Sequence, residues 1–435
     1  MPSFREKLDR LGAGAAKVGP PRHAKQPQPR EPEPPREPER SGVDLAELGR
    51  RIASMVGEAA ETSAPDERAS SAEAVQLPFE REGASEPPRW VRRLTFDPSH
   101  AVGQVALGAA LGADRATLAL LALTPELAGA ALGRAIYLDT ETTGLGGAGT
   151  IAFLVGLCWY DAPSGRFVLE QRFLRDPAEE PGLLAPVAEQ LGQAELCVSY
   201  NGKSFDLPVL RTRLVLHRRA ELRELPHVDL LHLVRRVHRH RRWRKNLGSA
   251  ELHVLGYDRG PDVAGDQVAQ RYHHFLRSGD AAGLLEVVEH NVRDVLSLVA
   301  LVGLYGEPLQ RLGAEDLAGV ARALYRAGDA EQAMAMAEHA VGRGGGAPAL
   351  RVRAEIAKAR GDKQQALSDF EALAREVDDP TVRLELAKLY EHHVRSPRQA
   401  LEQTELGIAE KPAAVARRRE RLERKIRGRR GPAEG

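Results

Sequence analysis

The sequence predicts a mixed α/β domain in the middle of the chain, an all-α repeat domain behind it and a disordered arm in front. Three observations carry this. Between residues 134 and 305, three short apolar runs bounded by turn residues precede alternating helical and extended segments, the pattern of a mixed sheet flanked by helices. Beyond Gly313 one helical pattern recurs with a period of 33 and then 34 residues. Nine of the 28 prolines fall in the first 40 residues, where PREPEPPREPER has almost nothing apolar to offset its ordering entropy.

Residues 1–86 read as the arm, interrupted by one amphipathic stretch at 43–60 with Leu45, Leu48, Ile52, Met55 and Val56 on one helical face. Residues 87–133, rich in Ala and Leu with Gly breaks, read as a helical lead-in with no assigned role. From Ala135 the pattern turns to strands, at 135–139, 151–160 and 166–174, with turn signals at Gly144–Gly149 and Pro163–Gly165. A helix fits 180–191, a strand 196–200 and a helix 205–216. Segment 228–233 fits either a short strand or the start of a helix, and 284–304 has strong helical spacing.

The repeats occupy 313–410. Their anchoring alanines are Ala333, Ala366 and Ala400, and the inter-helix turns are Gly328-Asp329, Gly361-Asp362 and Ser396-Pro397. A small residue opening the second helix of each pair, at this period, is the tetratricopeptide signature. Such pairs stack into concave surfaces that take peptides or partner proteins, so a protein partner is expected there. Residues 411–435 form a basic tail.

Composition narrows the class. The 435 residues carry 62 Lys and Arg against 61 Asp and Glu, a net charge of +1, which excludes a uniformly basic surface. An apolar fraction of 42% and a charged fraction of 28% allow a real core. Two cysteines in apolar runs, Cys158 and Cys197, cannot make a disulfide framework and read as buried thiols. The charged N-terminus has no apolar leader region, and the apolar runs are far shorter than the ~20 residues that span a bilayer. A cytoplasmic location with no membrane partner is the expectation.

Four acidic residues in three segments carry the chemistry. Asp139 and Glu141, in LDTETTGL, are two apart on a strand and share a face. Paired carboxylates at a strand end are costly unless a cation sits between them, and hard divalent ions prefer oxygen ligands. Asp206, in YNGKSFD, falls in the first turn of a helix that follows a strand, where it could also merely cap the helix. His290 and Asp294, in EHNVRD, are i and i+4 on one helical face. Each segment alone fits an ordinary surface feature.

Together, Asp-x-Glu-Thr-Thr-Gly-Leu, Asn-x-x-x-Phe-Asp and His with Asp four residues later resemble the DEDD superfamily of 3′–5′ exonucleases, which have a ribonuclease-H-like fold. The wider text, LDTETTGLGGAGTIAFLVGLCWY, YNGKSFDLPVLRTR, HVDLLHLVRR and LEVVEHNVRDVLSL, is similar to its YprB-like branch, over about 134–305. The resemblance implies a nuclease in which Asp139, Glu141, Asp206 and Asp294 hold two Mg²⁺ or Mn²⁺ ions. It implies His290 as general base, with Thr142, Thr143 and Leu145 beside the terminal nucleotide. Histidine at a spacing of four departs from the better-studied branch, where that spacing goes with tyrosine.

Substrate contacts are sought in the basic text. Arg235–Lys245 holds seven Arg or Lys with Trp243, a composition that suits a phosphate backbone and a stacked base, or a solvated helix face. Arg241, Arg242, Trp243, Arg244 and Lys245 are the candidates there, and Lys203 a further one. The tail from Arg417 to Arg430 adds nine Arg or Lys. The pairs His273-His274 and His392-His393 lack a further ligand at metal spacing, and Gly144–Gly149 lacks the Lys-Ser/Thr of a phosphate loop. The expected activity is 3′–5′ exonucleolytic hydrolysis of DNA or RNA. The alternative is a catalytically weak nucleic-acid-binding adaptor on the same fold.

Overall fold

The computed structural model of the protein describes residues 75–428, apart from 145, 146, 148, 261, 262 and 264. The expected helix at 43–60, most of the arm, Leu145 and the last residues of the tail lie outside the described residues.

Nine strands are described: β1 (Glu80–Arg81), β2 (Trp90–Phe96), β3 (Ala101–Val102), β4 (Val105–Ala106), β5 (Ala135–Thr142), β6 (Ala152–Asp161), β7 (Arg166–Phe173), β8 (Leu196–Ser199) and β9 (His227–Asp229). Seven form one sheet in the order β1-β2-β7-β6-β5-β8-β9, while β3 and β4 make a separate hairpin. The first three strands of the central domain pair antiparallel, β5 with β6 and β6 with β7. Strands β8 and β9 then add in parallel beside β5, which needs crossovers. Helices α2 (Glu180–Gln193) and α3 (Asp206–Leu216) provide them.

Residues 135–138 of β5 are all buried, as a strand covered on both faces must be. Ile136 and Leu138 face one core with Leu154, Leu157 and helix α2, while Tyr137 faces the other with Cys158 and Leu169. The second core also takes α1 (Arg115–Ala122) and α4 (Leu230–Val237). Helix α5 (Gly265–Ser278), which the sequence pattern did not announce, stacks Tyr272 on Phe153 with ring centroids 4.1 Å apart. The long helix α6 (Ala282–Tyr305) packs on β5 and β6. Both cysteines are buried, and burial pushes the Cys197 thiol up to about 12.

Two expectations are corrected. The C-terminal end of the arm is folded: Leu77 and Phe79 are buried, Phe79 stacks on Phe173, and β1 pairs with β2. The lead-in is not simply helical, because WVRRLTF forms β2, paired with β7 from Trp90↔Phe173 to Phe96↔Phe167. Its consecutive arginines hide the strand pattern, yet both are used. Arg93 pairs with the buried Glu170, and Arg92 with Glu289 on α6. Segment 228–233 realises both readings in turn, ending β9 and opening α4.

Helices α7 (Ala314–Arg326), α8 (Ala330–Gly342), α9 (Gly346–Ala359), α10 (Lys363–Glu376), α11 (Pro380–His392), α12 (Pro397–Glu405) and α13 (Pro412–Gly428) follow. They pack as pairs, α7 with α8, α9 with α10 and α11 with α12, consistent with a helical repeat domain. Ala333, Ala366 and Ala400 are fully buried, because each lets its partner helix approach closely. Gly328 and Gly361 adopt φ of +87° and +88° in the inter-helix turn, and Asp329 and Asp362 cap the next helix. The third unit keeps the left-handed turn with Arg395 at φ +58°. The basic tail is largely helix α13, and it turns inward. Arg418, Arg421 and Lys425 all pair with Glu391, and Leu422 is buried in the last repeat core.

Candidate active site

Asp139 and Glu141 stand on the last turn of the pleat in β5, and a register shift between Glu141 and Thr142 ends the pairing beside them. Asp139 lies opposite Gly156 on β6, which in turn lies opposite Gln171 on β7. The bare glycine lets α6 settle onto the sheet. Gln171 Nε2 donates to Asn291 Oδ1 at 2.9 Å, and Asn291 Nδ2 donates to Asp139 Oδ2 at 2.9 Å. Both amides are fully buried, so this relay fixes the Asp139 carboxylate against the helix that carries His290 and Asp294. A Cβ on Gly156 would come 2.3 Å from Asn291 Oδ1 and 2.8 Å from Val295 Cγ2. Gly156→Ala should therefore lift α6, costing about 1–3 kcal/mol in urea unfolding. An unchanged midpoint would show that the relay is not held by this contact.

Asp206 is placed by the loop after β8. Asn201 takes a left-handed φ of +70°, and the buried Asp229 accepts backbone N–H bonds from Asn201 at 2.8 Å and Lys203 at 3.1 Å. This tight loop starts α3 with Asp206 as its first residue. Thr140 Oγ1 then donates to Asp206 Oδ1 at 2.6 Å. Burial still pushes the Asp206 carboxyl up to about 6, with Asp229 adding to the rise and the Thr140 bond opposing it.

On α6, His290 Nε2 lies 3.4 Å from Asp294 Oδ2 and 3.9 Å from Glu141 Oε1. A guanidinium also enters the cluster. Arg259 Nη2 is 2.6 Å from Asp294 Oδ1 and contacts Glu251 Oε1, while Nη1 lies 3.3 Å from His290 Nδ1. A guanidinium has donors only, so Nδ1 accepts in that contact and the ring proton sits on Nε2. In this arrangement His290 donates toward the carboxylates instead of offering them a lone pair.

The four acids therefore meet. Burial, with Asp294, Glu141 and Asp206 nearby, holds the Asp139 carboxyl well above the usual range, and the Asn291 bond opposes this only in part. Hard oxygens from three rigid elements, crowded enough to raise the proton affinity of Asp139, suit a divalent cation. Among the described residues, however, no three acidic, His or Cys side chains stand at metal-ligating separation. Arg259 lies in that space with its charge already placed.

The remaining sequence candidates scatter. Thr142 Oγ1 donates to the Gly144 carbonyl and Thr143 Oγ1 accepts from Ile151 N, so both hydroxyls hold the loop beside the site. Lys203 is exposed. The basic segment is not a continuous phosphate stripe. Arg241 pairs with Glu315 and Asp316, and Lys245 Nζ donates to the Arg241 and Trp243 carbonyls while lying over the Trp243 ring. Trp243 stacks on His253. Only Arg242 and Arg244 of the five candidates are exposed.

Sequence reading missed Gly156, Gln171, Asn291, Asp229, Glu251 and Arg259. Asn291 had a signal, since it is a polar residue amid Val287, Val288, Val292 and Val295. Arg259 had none, because only the fold brings 259 to 294.

Residues 136–305 match the RNase_H_2 family of the RNase_H superfamily. A stretch of 168 residues is 39% identical to a protein of Bacillus subtilis (strain 168) named uncharacterized protein YprB, covering 38% of this chain and 40% of that one. The chain thus spans well under half the length of that relative. With the mixed sheet order and the acidic cluster at the ends of β5, residues 136–305 are a YprB-like, ribonuclease-H-like domain.

Proposed function

We propose that the chain is a divalent-metal-dependent 3′–5′ exonuclease that hydrolyses phosphodiester bonds of DNA or RNA. The observation that carries this is the convergence of Glu141, Asp206 and Asp294 on the half-buried carboxylate of Asp139, four acids from three separate segments. When bound there, Mg²⁺ or Mn²⁺ supplies Lewis-acid charge to the scissile phosphate and the departing 3′-oxygen. The chain's own residues hold the oxygens. Strand β5 fixes Asp139 and Glu141, and Thr140 fixes Asp206 at the head of α3. Thr142 and Thr143 shape the loop beside the terminal nucleotide. Of the cations named from the sequence, Lys203, Arg242 and Arg244 are exposed and available to the phosphate backbone. The repeat domain docks a protein partner.

Incubating the full chain with 3′- and 5′-labelled single strands of DNA and RNA, with Mn²⁺, Mg²⁺ or EDTA, tests the reading. Metal-dependent laddering from the 3′ end is expected. The Arg259 contact with Asp294 favours the adaptor as the second reading, and tight binding with no turnover in either metal would establish it.

His290 takes the part of a hydrogen-bond donor, as the proton on Nε2 supports, and tyrosine at this spacing would do the same. His290→Gln, which keeps a donor, should stay within about tenfold of the wild-type rate, whereas His290→Ala should lose about a hundredfold. A hundredfold loss in the Gln variant, with the acid limb of the pH–rate profile gone, would restore the general-base assignment.

A further inference from the structure

Arg259 is held from behind as well as in front. Glu251 is fully buried, Ser297 Oγ donates to its Oε1 at 2.5 Å, and Arg259 Nη2 meets the same oxygen. One guanidinium nitrogen thus bridges the carboxylates of Glu251 and Asp294, and the Arg259 side chain is only 7% exposed. Gly256 and Gly260, at φ +67° and +69°, turn the chain sharply on either side of it. Among the described residues, Arg259 supplies the ion pair to Glu251. Were it to leave, Glu251 would be left in the interior without its cation, either ionised and uncompensated or forced to take up a proton, and both are unfavourable. Lys or a solvated arginine could swing away from a metal site at little cost, but this one is anchored.

We propose that Arg259 is a resident cation that fills the Asp294 side of the site, so that the chain binds one divalent ion and not two. The ion then belongs to the Asp139, Glu141 and Asp206 side, and the guanidinium provides the second positive charge there. This rests on the metal-site reading above and changes its stoichiometry. It also gives Glu251 a purpose that no fold requirement explains, since a buried carboxylate at that position is otherwise a cost.

Mn²⁺ titration of the full chain, followed by loss of the free-ion paramagnetic resonance signal, tests it. The titration is run with Mn²⁺ alone and again with a nucleoside 5′-monophosphate. Wild type is expected to bind one ion per chain in both. The double variant Glu251→Gln/Arg259→Met, which removes the cation together with the charge it neutralises, is expected to bind two. Two ions in wild type would overturn the proposal and leave the metal site standing. One ion in both wild type and the double variant would also overturn it. No ion in wild type would remove the metal-site reading itself. A wild-type count of two or of none decides even where the double variant fails to fold.

Discussion

Asp139→Asn is expected to lower hydrolysis by roughly a thousandfold while making the metal-free chain more stable. The rate follows from position. Asp139 is the carboxylate on which the other three converge, and on the metal-dependent reading proposed above a bound ion's charge stabilisation of the transition state is worth several kcal/mol; losing about 4 kcal/mol of it is about three powers of ten. The stability follows from the same crowding. Burial and three neighbouring carboxylates hold Asp139 well above its ordinary range, so its ionised form is a destabilising element of the metal-free chain. Asparagine removes that charge and still accepts from Asn291 Nδ2. A gain in the stability of the metal-free chain is therefore expected.

The pH dependence has a definite sign. A carboxyl whose folded pKa is raised binds its proton more tightly in the native state. Its contribution is complete below the unfolded value and is lost as pH rises through the folded one. Asp206, pushed up to about 6, places this loss between about pH 4 and pH 6, and Asp139 acts in the same direction. Metal-free wild type should therefore lose stability across that window, with a shallower fall in Asp139→Asn. Mn²⁺ should restore the wild type far more than the variant. Thermal melts in EDTA and in Mn²⁺ read all of this, and a variant less stable than wild type without metal would refute the crowding account.

The acidic residues were legible because each sits beside a local boundary that the chain text shows. A strand ends after Glu141, a loop with a left-handed Asn201 precedes Asp206, and a strong helical period surrounds His290 and Asp294. The repeat was legible for a similar reason, since buried alanines and αL turns recur at fixed spacing. What failed was charge. Arg92 and Arg93 concealed a strand because they meet Glu289 and Glu170, which lie far away in sequence. The runs at 235–245 and 417–430 looked like free positive surface, but Asp316 claims Arg241 of the first and Glu391 claims Arg418, Arg421 and Lys425 of the second. Arginine counts report composition; only the fold decides whether the partner is an internal carboxylate or a phosphate. The loop residue Arg259 is the extreme case.

The second large effect is expected at Asp316→Ala, which should destabilise the chain by about 3–5 kcal/mol. Asp316 lies in the first turn of α7 and is nearly buried. His238 Nδ1 meets its Oδ1 at 2.8 Å, Arg241 Nε and Nη2 donate to its two oxygens at 3.2 Å, and His240 Nε2 lies 3.4 Å away. His238 Nε2 in turn meets the Tyr305 hydroxyl at 2.8 Å, at the last residue of α6. One carboxylate thus ties the segment after α4, the end of the helix that carries Asp294, and the first repeat helix. Gly319 shows how closely they pack, since a Cβ there would lie 2.0 Å from the Val237 carbonyl oxygen. Burial opposes ionisation of Asp316, yet bonds from His238, His240 and Arg241 outweigh it and hold the carboxyl far below the usual range. Alanine would leave Arg241 and His238 with polar groups facing a gap. Because a depressed carboxyl stabilises above its unfolded pKa and loses that contribution as pH falls, wild type should weaken below about pH 4. Asp316→Ala should be weak throughout, with a flatter acid limb. Asp316→Asn keeps an acceptor for His238 and should cost less. Urea unfolding from pH 3 to pH 7 checks the set; an alanine variant within 1 kcal/mol of wild type at neutral pH would mean that apolar packing across Leu317 and Val320, and not this charge cluster, holds the sheet domain to the repeats.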